Sequence, residues 1–288
     1  MSGQRSRLVW RQFNKGHLLK ISILGGILLC AATFGRAQLQ PNELAEREAW
    51  ESFLETAEIT GWVQLTEQEG VTSPWKLTLK KGNTVRYGLW KNVEGRKYGF
   101  LEGWNWEIAA YRLDKYLGLN MVPPTVERRF RGNRGSLQLW VEAEMSYGQM
   151  VERKLKVPPA KITDWNRAVS LQRLFDNLIA NEDRHNNNVL VTANWQLILI
   201  DHSRSFRTSS KFTKSLIYSG ESKGGPKEMS ELPVAVVERV KTLDFDATKS
   251  AVGEYLTENE IRAVLVRRDL ILEEVDHLVR TSAEPDNL

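Results

Sequence analysis

The sequence predicts an α+β protein of two lobes, with a sheet-rich N-terminal lobe and a mainly helical C-terminal lobe. Three observations support this prediction: short alternating runs typical of strands up to residue 142, helical periodicity beyond about residue 160, and a polar, proline-punctuated stretch between them. A chain of 288 residues can form one large domain or two small ones. Its 41% hydrophobic content and nine prolines exclude a fibrous or wholly disordered protein.

The first 37 residues have the order of a secretory signal peptide. They carry six basic residues and no acidic one, and the apolar run from Ile21 to Thr33 leads into small residues. Residues 18–34 could instead be retained as a membrane anchor, since they approach the length that spans a bilayer. We therefore expect a protein that is exported (periplasmic or extracellular), or one that is anchored to the inner membrane by residues 18–34 alone. Cys30 is the only cysteine, so a cleaved product would form no disulfide.

Beyond this segment the chain is nearly neutral. Of its 40 basic residues six lie in the segment, which leaves 34 basic against 36 acidic residues. The basic isoelectric point of the whole chain therefore does not indicate a nucleic-acid partner, and none is expected. The predicted organisation is a signal peptide or anchor at 1–37, a linker at 38–54, an N-lobe at 55–142 and a C-lobe at 143–288.

The N-lobe is predicted to be a small antiparallel sheet with one long helix. Alternating runs bounded by Gly or Pro predict the strands, and apolar residues at helical spacing predict a helix over 106–117 that ends at Gly118. A short helix is expected within residues 38–58. The predicted strands are 62–65, 76–80, 85–91, 125–129 and 136–142.

The C-lobe is predicted to be helical, and the connection between the lobes is expected at residues 143–159. Apolar stripes predict one helix that Asp164 caps and a second that Thr257 and Glu260 open with a capping box. The first helix is predicted to end at Ile179 and the second at about Arg280. Between them lie a predicted hairpin of strands 189–191 and 195–200 and a predicted loop over 203–232.

Polar side chains are densest between the first C-lobe helix and the hairpin. So many amides, carboxylates and imidazoles would be left unpaired in a core, so we expect them to face a ligand, an ion or water. Asp201 directly follows an apolar strand, which should fix its side chain at the strand's end. The polar residues of this cluster are Asn181, Asp183, Arg184, His185, Asn186, Asn187, Asn188, Asp201 and His202.

This arrangement suits phosphoryl transfer. One carboxylate can accept a hydrogen bond from the attacking hydroxyl, while an amide oxygen and a second carboxylate hold Mg²⁺ against the phosphates of a nucleotide. Asp183 is the candidate for the first role, and Asn188 with Asp201 for the second. A cation must also hold the phosphates, and an acid must orient it. Lys91 at the end of a predicted strand and Glu107 in the first turn of the next helix are the candidates.

These residues resemble the catalytic core of atypical kinases. The tract NEDRHNNN at 181–188, followed by LILIDHS at 197–203, is similar to type II phosphatidylinositol kinases within the phosphatidylinositol 3/4-kinase-like group, to the HipA toxin kinases, and to secretory-pathway kinases of the Golgi four-jointed and casein-kinase type. Residues 87–93 (YGLWKNV) and 107–129 resemble bacterial members. The likeness covers about residues 60–205 and implies a two-lobed protein-kinase-like fold in an exported bacterial member.

The resemblance also implies roles for single residues. By position, Asp183 resembles the catalytic-loop aspartate, and Asn188 and Asp201 resemble the two metal ligands. Lys91 resembles the lysine of the third strand, with Glu107 as its partner. The implied cofactors are ATP and Mg²⁺, with Mn²⁺ as an alternative ion. The implied partners are the nucleotide and an unidentified hydroxyl-bearing acceptor.

Some alternatives remain open. Asp114 lies on nearly the same helix face as Glu107 and could pair with Lys91 instead. No glycine-rich phosphate loop is present, only Glu69 to Thr72, so a catalytically inactive kinase-like protein that binds nucleotide or a partner is the main rival. His185 and His202 could belong to a hydrolytic Zn²⁺ site. The purely structural alternative is a capped loop, in which the polar side chains of the cluster form hydrogen bonds with their own backbone.

Overall fold

The strands form three antiparallel groups. The computed structural model describes residues 46–66, 72–141, 143–220 and 227–283. The strands of these residues are β1 (Glu58–Gln64), β2 (Trp75–Lys81), β3 (Thr84–Lys91), β4 (Glu94–Lys97), β5 (Phe100–Gly103), β6 (Thr125–Phe130), β7 (Asn133–Leu139), β8 (Met145–Ser146), β9 (Val189–Val191) and β10 (Leu197–Leu199). The main sheet has the order β1-β2-β3-β7-β6, a smaller sheet has the order β10-β9-β8, and β4 and β5 form a separate hairpin.

The helices lie mostly in the second half of the chain. They are α1 (Arg47–Thr56), α2 (Trp104–Leu117), α3 (Tyr147–Glu152), α4 (Ile162–Ile179), α5 (Ser210–Thr213), α6 (Val234–Lys241), α7 (Phe245–Val252) and α8 (Glu258–Ala283), with 3-10 turns at Pro159–Lys161, Asn186–Asn188 and Gly253–Tyr255. This arrangement confirms the predicted α+β class with a sheet-rich N-lobe and a helical C-lobe.

The five-stranded sheet buries one face against α1. Leu77 and Leu79 alternate with polar residues along β2, as expected for a strand with one face in a core, and Trp90 of β3 is buried on the same side. They pack with Phe53 and Leu54 of α1 in a single hydrophobic cluster. The short helix predicted within residues 38–58 is thus present, and it belongs to the core of the N-lobe.

Helix α2 lies between the two lobes. It ends as predicted at Gly118, whose φ of 67° is left-handed and whose backbone N–H caps the helix. The indole Nε1 of Trp106 donates to Glu260 Oε1 at 2.8 Å, and the amide of Asn105 donates to the carbonyl of Tyr255 at 2.9 Å. This N-lobe helix is therefore fixed to the last helices of the chain.

The connection between the lobes is shorter than predicted. The Trp140 N–H donates to Tyr87 of β3 at 2.9 Å, and the Glu144 N–H donates to Val191 of β9 at 3.1 Å. The chain therefore passes from one lobe to the other between residues 140 and 144. The expected connection at 143–159 was wrong, because its polar and proline-rich composition belongs to β8, α3 and a 3-10 turn inside the C-lobe.

Two further C-lobe predictions need correction. The helix predicted from Asp164 begins at Ile162, so Asp164 lies in the first turn, where its charge still suits the helix dipole. The loop predicted over 203–232 contains α5. The capping box of α8 is confirmed, since the Glu260 N–H donates to Thr257 Oγ1 at 3.3 Å and Thr257 N–H donates to Glu260 Oε2 at 2.7 Å.

Several predictions lie outside the described residues. These are the signal peptide or anchor at 1–37, residues 38–45 of the linker at 38–54, residues 67–71 between the first two strands, and residues 221–226 of the predicted loop. Within the described ranges, no helix is both long enough and apolar enough to cross a membrane.

We predict that Leu54→Ala lowers the free energy of unfolding by about 2 to 5 kcal/mol, because Leu54 is completely buried between α1 and the sheet. Urea denaturation measures the change. Val63→Ala on β1 is the matched control, since Val63 is 55% exposed and should cost less than about 1 kcal/mol. Equal losses in the two variants would show that α1 does not belong to the core.

Candidate active site

Lys91 lies at the centre of the site. It is the last residue of β3 and only 7% exposed, and its Nζ is 2.7 Å from Glu107 Oε1 and 2.8 Å from Asp201 Oδ1. A buried ammonium needs such partners, because an unpaired charge would be costly in the interior. The structure thus brings together three predicted site residues that are far apart in sequence.

Glu107 uses both of its carboxylate oxygens. Oε1 accepts from Lys91, and Oε2 accepts the backbone N–H of His202 at 3.0 Å. Asp114, the alternative partner of Lys91, is instead paired with Arg47 and accepts the backbone N–H groups of Met121 and Val122. The choice between Glu107 and Asp114 is therefore settled in favour of Glu107 as the partner of Lys91.

Asp201 follows β10 in a left-handed backbone conformation, with φ of 57°. This conformation is uncommon for a residue other than glycine and often marks a functional position. Its Oδ1 lies 2.8 Å from Lys91 Nζ and 3.0 Å from Ser203 Oγ. The side chain remains 38% exposed, so it is fixed on one side and accessible on the other.

The three charges shift one another's protonation. Burial would lower the pKa of Lys91, but the charges of Asp201 and Glu107 outweigh burial and raise it. For Glu107 and Asp201, burial would raise the pKa, but the charge of Lys91 and the hydrogen bonds that they accept lower both pKa values. All three groups are therefore ionised at neutral pH.

Arg184 holds the loop that precedes the hairpin. Its guanidinium pairs with Asp176 of α4 at 3.0 Å and donates to the carbonyls of Asn188 and Ile200, both at 2.7 Å. Its Nη2 lies 3.0 Å from His202 Nε2. Because arginine only donates, this imidazole nitrogen is the acceptor. These contacts fix the loop to α4 and to both ends of the hairpin.

The same loop positions Asp183 and Asn188. The Asn188 side-chain amide donates to the backbone carbonyl of Asp183 at 3.2 Å, and the Ile200 N–H donates to the carbonyl of Asn188 at 3.1 Å. Asn188 is therefore adjacent to the strand end that carries Asp201. The carboxylate of Asp183 is partly exposed and lies 3.2 Å from Arg204 Nη1.

A large cavity lies beside these residues. Its volume is about 1420 Å³, and it opens between the sheet of the N-lobe, the interlobe connection and the C-lobe hairpin. Apolar side chains come from both lobes, among them Leu89, Leu190 and Ile200. Ile200 and Asn187 directly precede Asp201 and Asn188 in the chain, but the five predicted site residues themselves (Lys91, Glu107, Asp183, Asn188 and Asp201) do not line the cavity.

The residues of the candidate site are suited to bind a divalent cation together with the phosphates of a nucleotide. Asn188 and Asp201 offer hard oxygen donors, and Mg²⁺ commonly takes only one or two protein carboxylates together with phosphates and water. The linked ion pairs also carry an excess of two negative charges, which a divalent cation would neutralise. Their basic members are Lys91 and Arg204, and their acidic members are Glu102, Glu107, Asp183 and Asp201.

The Zn²⁺ alternative finds no support. Over the described ranges, no group of three or more His, Cys, Asp or Glu side chains is placed to hold a metal ion. His202 is completely buried beside Arg184, and His185 Nδ1 accepts the backbone N–H of Asn187 at 3.3 Å. Both imidazoles thus serve the structure of the loop.

Sequence reasoning missed the contribution of the β4–β5 hairpin. Glu102 is 2% exposed and accepts from Ser203 Oγ and from Arg204 Nε, both at 2.6 Å. Gly99, which lies with Tyr98 in the turn between the two strands, could have indicated the hairpin. Nothing local in the sequence could have indicated that Glu102 reaches residues a hundred positions later.

Comparisons with known proteins support the fold. No family model and no curated protein matches the sequence. Among solved structures, the Golgi casein kinase is similar with a TM-score of 0.55 and 13% identity, over 85% of this chain and 77% of that one. The Helicobacter pylori proinflammatory kinase CtkA is 13% identical over 81% of this chain and 99% of its own, with a TM-score of 0.48. The first comparison, together with the lobes described above, shows that the chain has a two-lobed kinase-like fold.

We predict that Lys91→Met lowers the free energy of unfolding by about 3 to 5 kcal/mol at neutral pH, since it leaves Glu107 and Asp201 without their counter-charge. The loss should shrink toward about pH 4, because the two carboxylates can then take up protons in the variant. In the wild type their lowered pKa values stabilise the fold above the usual carboxyl range, and this contribution is lost as the pH falls.

Urea denaturation at about pH 7 and about pH 5 measures the difference. Lys115→Met is the control, because Lys115 pairs with Glu51 but is 37% exposed and should lose less than about 1 kcal/mol. A loss in Lys91→Met that did not change with pH would contradict the assigned charge network.

Proposed function

We propose that the protein is an ATP-dependent kinase that transfers a phosphoryl group to a hydroxyl of an acceptor. The observation that carries the proposal is the ion-pair position of Lys91, which lies between Glu107 and Asp201. Leu89 of the same strand and Ile200, which precedes Asp201, line the large interlobe cavity. A fixed ammonium, a carboxylate that orients it and a second, accessible carboxylate are the groups that phosphoryl transfer requires of a protein. The similarity to the Golgi casein kinase in fold supports the same class of reaction.

The nucleotide would occupy the interlobe cavity. Its base would lie among the apolar side chains of Leu89, Leu190 and Ile200, and Lys91 would bind the phosphates. Lys91 would then exchange part of its contact with Asp201 for the phosphates while Glu107 keeps it in place. That exchange would release Asp201 for a metal ion.

Asn188 and Asp201 would hold Mg²⁺, or Mn²⁺ in its place. When bound, the ion would neutralise charge on the phosphate oxygens and thereby assist departure of ADP. Asn188 is suited to this role, because its own amide N–H group is used on the carbonyl of Asp183 and its oxygen is the atom left to coordinate.

Asp183 would orient the acceptor. The acceptor hydroxyl oxygen would form the new bond to the terminal phosphorus as the bond to the bridging oxygen of ADP breaks, and Asp183 would take the hydroxyl proton. The side chain is 34% exposed, so an acceptor can reach it. Protein, lipid, sugar and small-molecule hydroxyls are all compatible with this chemistry.

A catalytically inactive kinase-like binding protein is the second candidate. The segment from Glu69 to Thr72 contains a single glycine, so the backbone cradle that commonly covers the phosphates has no counterpart in the sequence there. We also expect residues 1–37 to direct export, and ATP is scarce in a bacterial periplasm. The domain limits of 55–142 and 143–288 remain part of the same proposal.

We predict that Asp183→Asn reduces phosphoryl transfer by about 10²- to 10⁴-fold while nucleotide binding is retained, because only the proton acceptor is lost. Mass spectrometry of the chain and of added acceptors after incubation with ATP and Mg²⁺ measures transfer, and thermal stabilisation by the nucleotide measures binding. Binding without any transfer by the wild type would favour the inactive protein. Full transfer by Asp183→Asn would exclude Asp183 from its proposed role.

A further inference from the structure

We propose that Arg204 is a positioning residue, which holds the carboxylate of Asp183 and ties it to the β4–β5 hairpin through Glu102. The inference rests on the proposed function, in which Asp183 accepts the proton of the acceptor. Arg204 follows Asp201 by three residues and belongs to the C-lobe, whereas the hairpin belongs to the N-lobe. It therefore links the proposed reaction centre to a part of the N-lobe that carries none of the predicted site residues.

Three contacts restrain the Arg204 side chain. Its Nε donates to Glu102 Oε1 at 2.6 Å, its Nη1 lies 3.2 Å from Asp183 Oδ2, and its guanidinium carbon lies 4.3 Å from the ring centre of Phe100. The side chain is only 14% exposed. A planar guanidinium that bonds two carboxylates and lies over an aromatic ring has little freedom to rotate.

The carboxylate of Glu102, which binds Arg204, is itself held in place. It is almost completely buried, and its second oxygen, Oε2, accepts from Ser203 Oγ at 2.6 Å. The next residue of the hairpin, Gly103, donates its N–H to the carbonyl of Ser203 at 2.9 Å. Both side-chain and backbone hydrogen bonds thus join the hairpin to the segment after Asp201. The backbone that carries Arg204 is therefore held in place.

Asp183 depends on Arg204 for the orientation of its side chain. Its backbone is held by Asn181 and Asn188, but these contacts leave its χ angles free. Among the described residues, the ion pair with Arg204 is the contact that its carboxylate makes. The pair engages Oδ2, so Oδ1 is the oxygen left to accept from an acceptor hydroxyl.

The charges around Arg204 support the same role. Partial burial lowers the pKa of its guanidinium, but the hydrogen bond and charge of Glu102, followed by the charges of Asp183 and Asp201, raise it. The positive charge of Arg204 also reduces the repulsion between the two aspartates. It therefore allows Asp183 to stay close to a site that already contains Asp201.

The test uses the full chain and follows ADP formation from Mg²⁺-ATP, in which water or a hydroxyl of the chain itself takes the phosphoryl group. We expect Arg204→Met to lower kcat by about 10²-fold, the usual cost of a misplaced catalytic group, with the KM for ATP changed by less than about threefold. Arg204→Lys should recover part of kcat, since it keeps the charge but loses the two-pronged geometry. Arg96→Met is the matched control and should keep wild-type activity, because Arg96 is an exposed arginine of β4 that donates to Gly99 of the same hairpin.

A double-mutant cycle separates positioning from simple structural support. In the background of Asp183→Asn, Arg204→Met should cost less than about threefold in kcat, because the residue it positions is already disabled. The same roughly 10²-fold loss in both backgrounds would overturn the inference, and so would wild-type kcat in Arg204→Met. Melting temperatures confirm that the variants are folded.

A wild-type chain that forms no ADP would refute the proposed kinase activity. The positioning role is then decided by crystal structures. In the wild type the Arg204–Asp183 pair must be present, and in Arg204→Met the Asp183 carboxylate must move or occupy several rotamers. An Asp183 side chain that is unchanged in the variant would overturn the inference independently of activity.

Discussion

The buried ammonium of Lys91 joins the two lobes at the candidate site. Lys91 enters the interior at the end of β3, where a charged side chain can be accommodated only if opposite charges compensate for its lost hydration. Glu107 supplies one of them from helix α2, and Asp201 supplies the other from the C-lobe. Sheet, helix and C-lobe hairpin are thereby joined at one atom, the Nζ of Lys91.

A second buried cation shapes the C-lobe side of the cleft. Arg184 gathers the carbonyls of Asn188 and Ile200 around a guanidinium that Asp176 neutralises. These two carbonyls belong to the residues at the start of β9 and the end of β10, so their common donor brings the hairpin ends together. The loop from residue 183 to residue 188 is polar but ordered. The side chains of Asn188 and His185 bond backbone groups of the loop, and Asn187 accepts from Ser146 Oγ.

Much of this could be predicted from the sequence, and the part that could not has a common physical cause. Alternation and helical spacing are local signals, and they predicted the strands around Lys91, the helix with Glu107 and its end at Gly118. The choice between Glu107 and Asp114 depended on Arg47, which lies far away in sequence and takes Asp114 for itself. Glu102 and Arg204 were missed for the same reason. Ion pairs between distant segments have no periodicity, so only the folded chain reveals them.

The most direct test of the account is a crystal structure with Mn²⁺ and a non-hydrolysable ATP analogue, in which anomalous scattering locates the ion. We expect the ion between the side-chain oxygen of Asn188 and the carboxylate of Asp201, with Lys91 on the phosphates and still paired with Glu107. A nucleotide bound outside the interlobe cavity would contradict the account, and so would an ion held by other residues while Lys91 keeps its pair with Asp201.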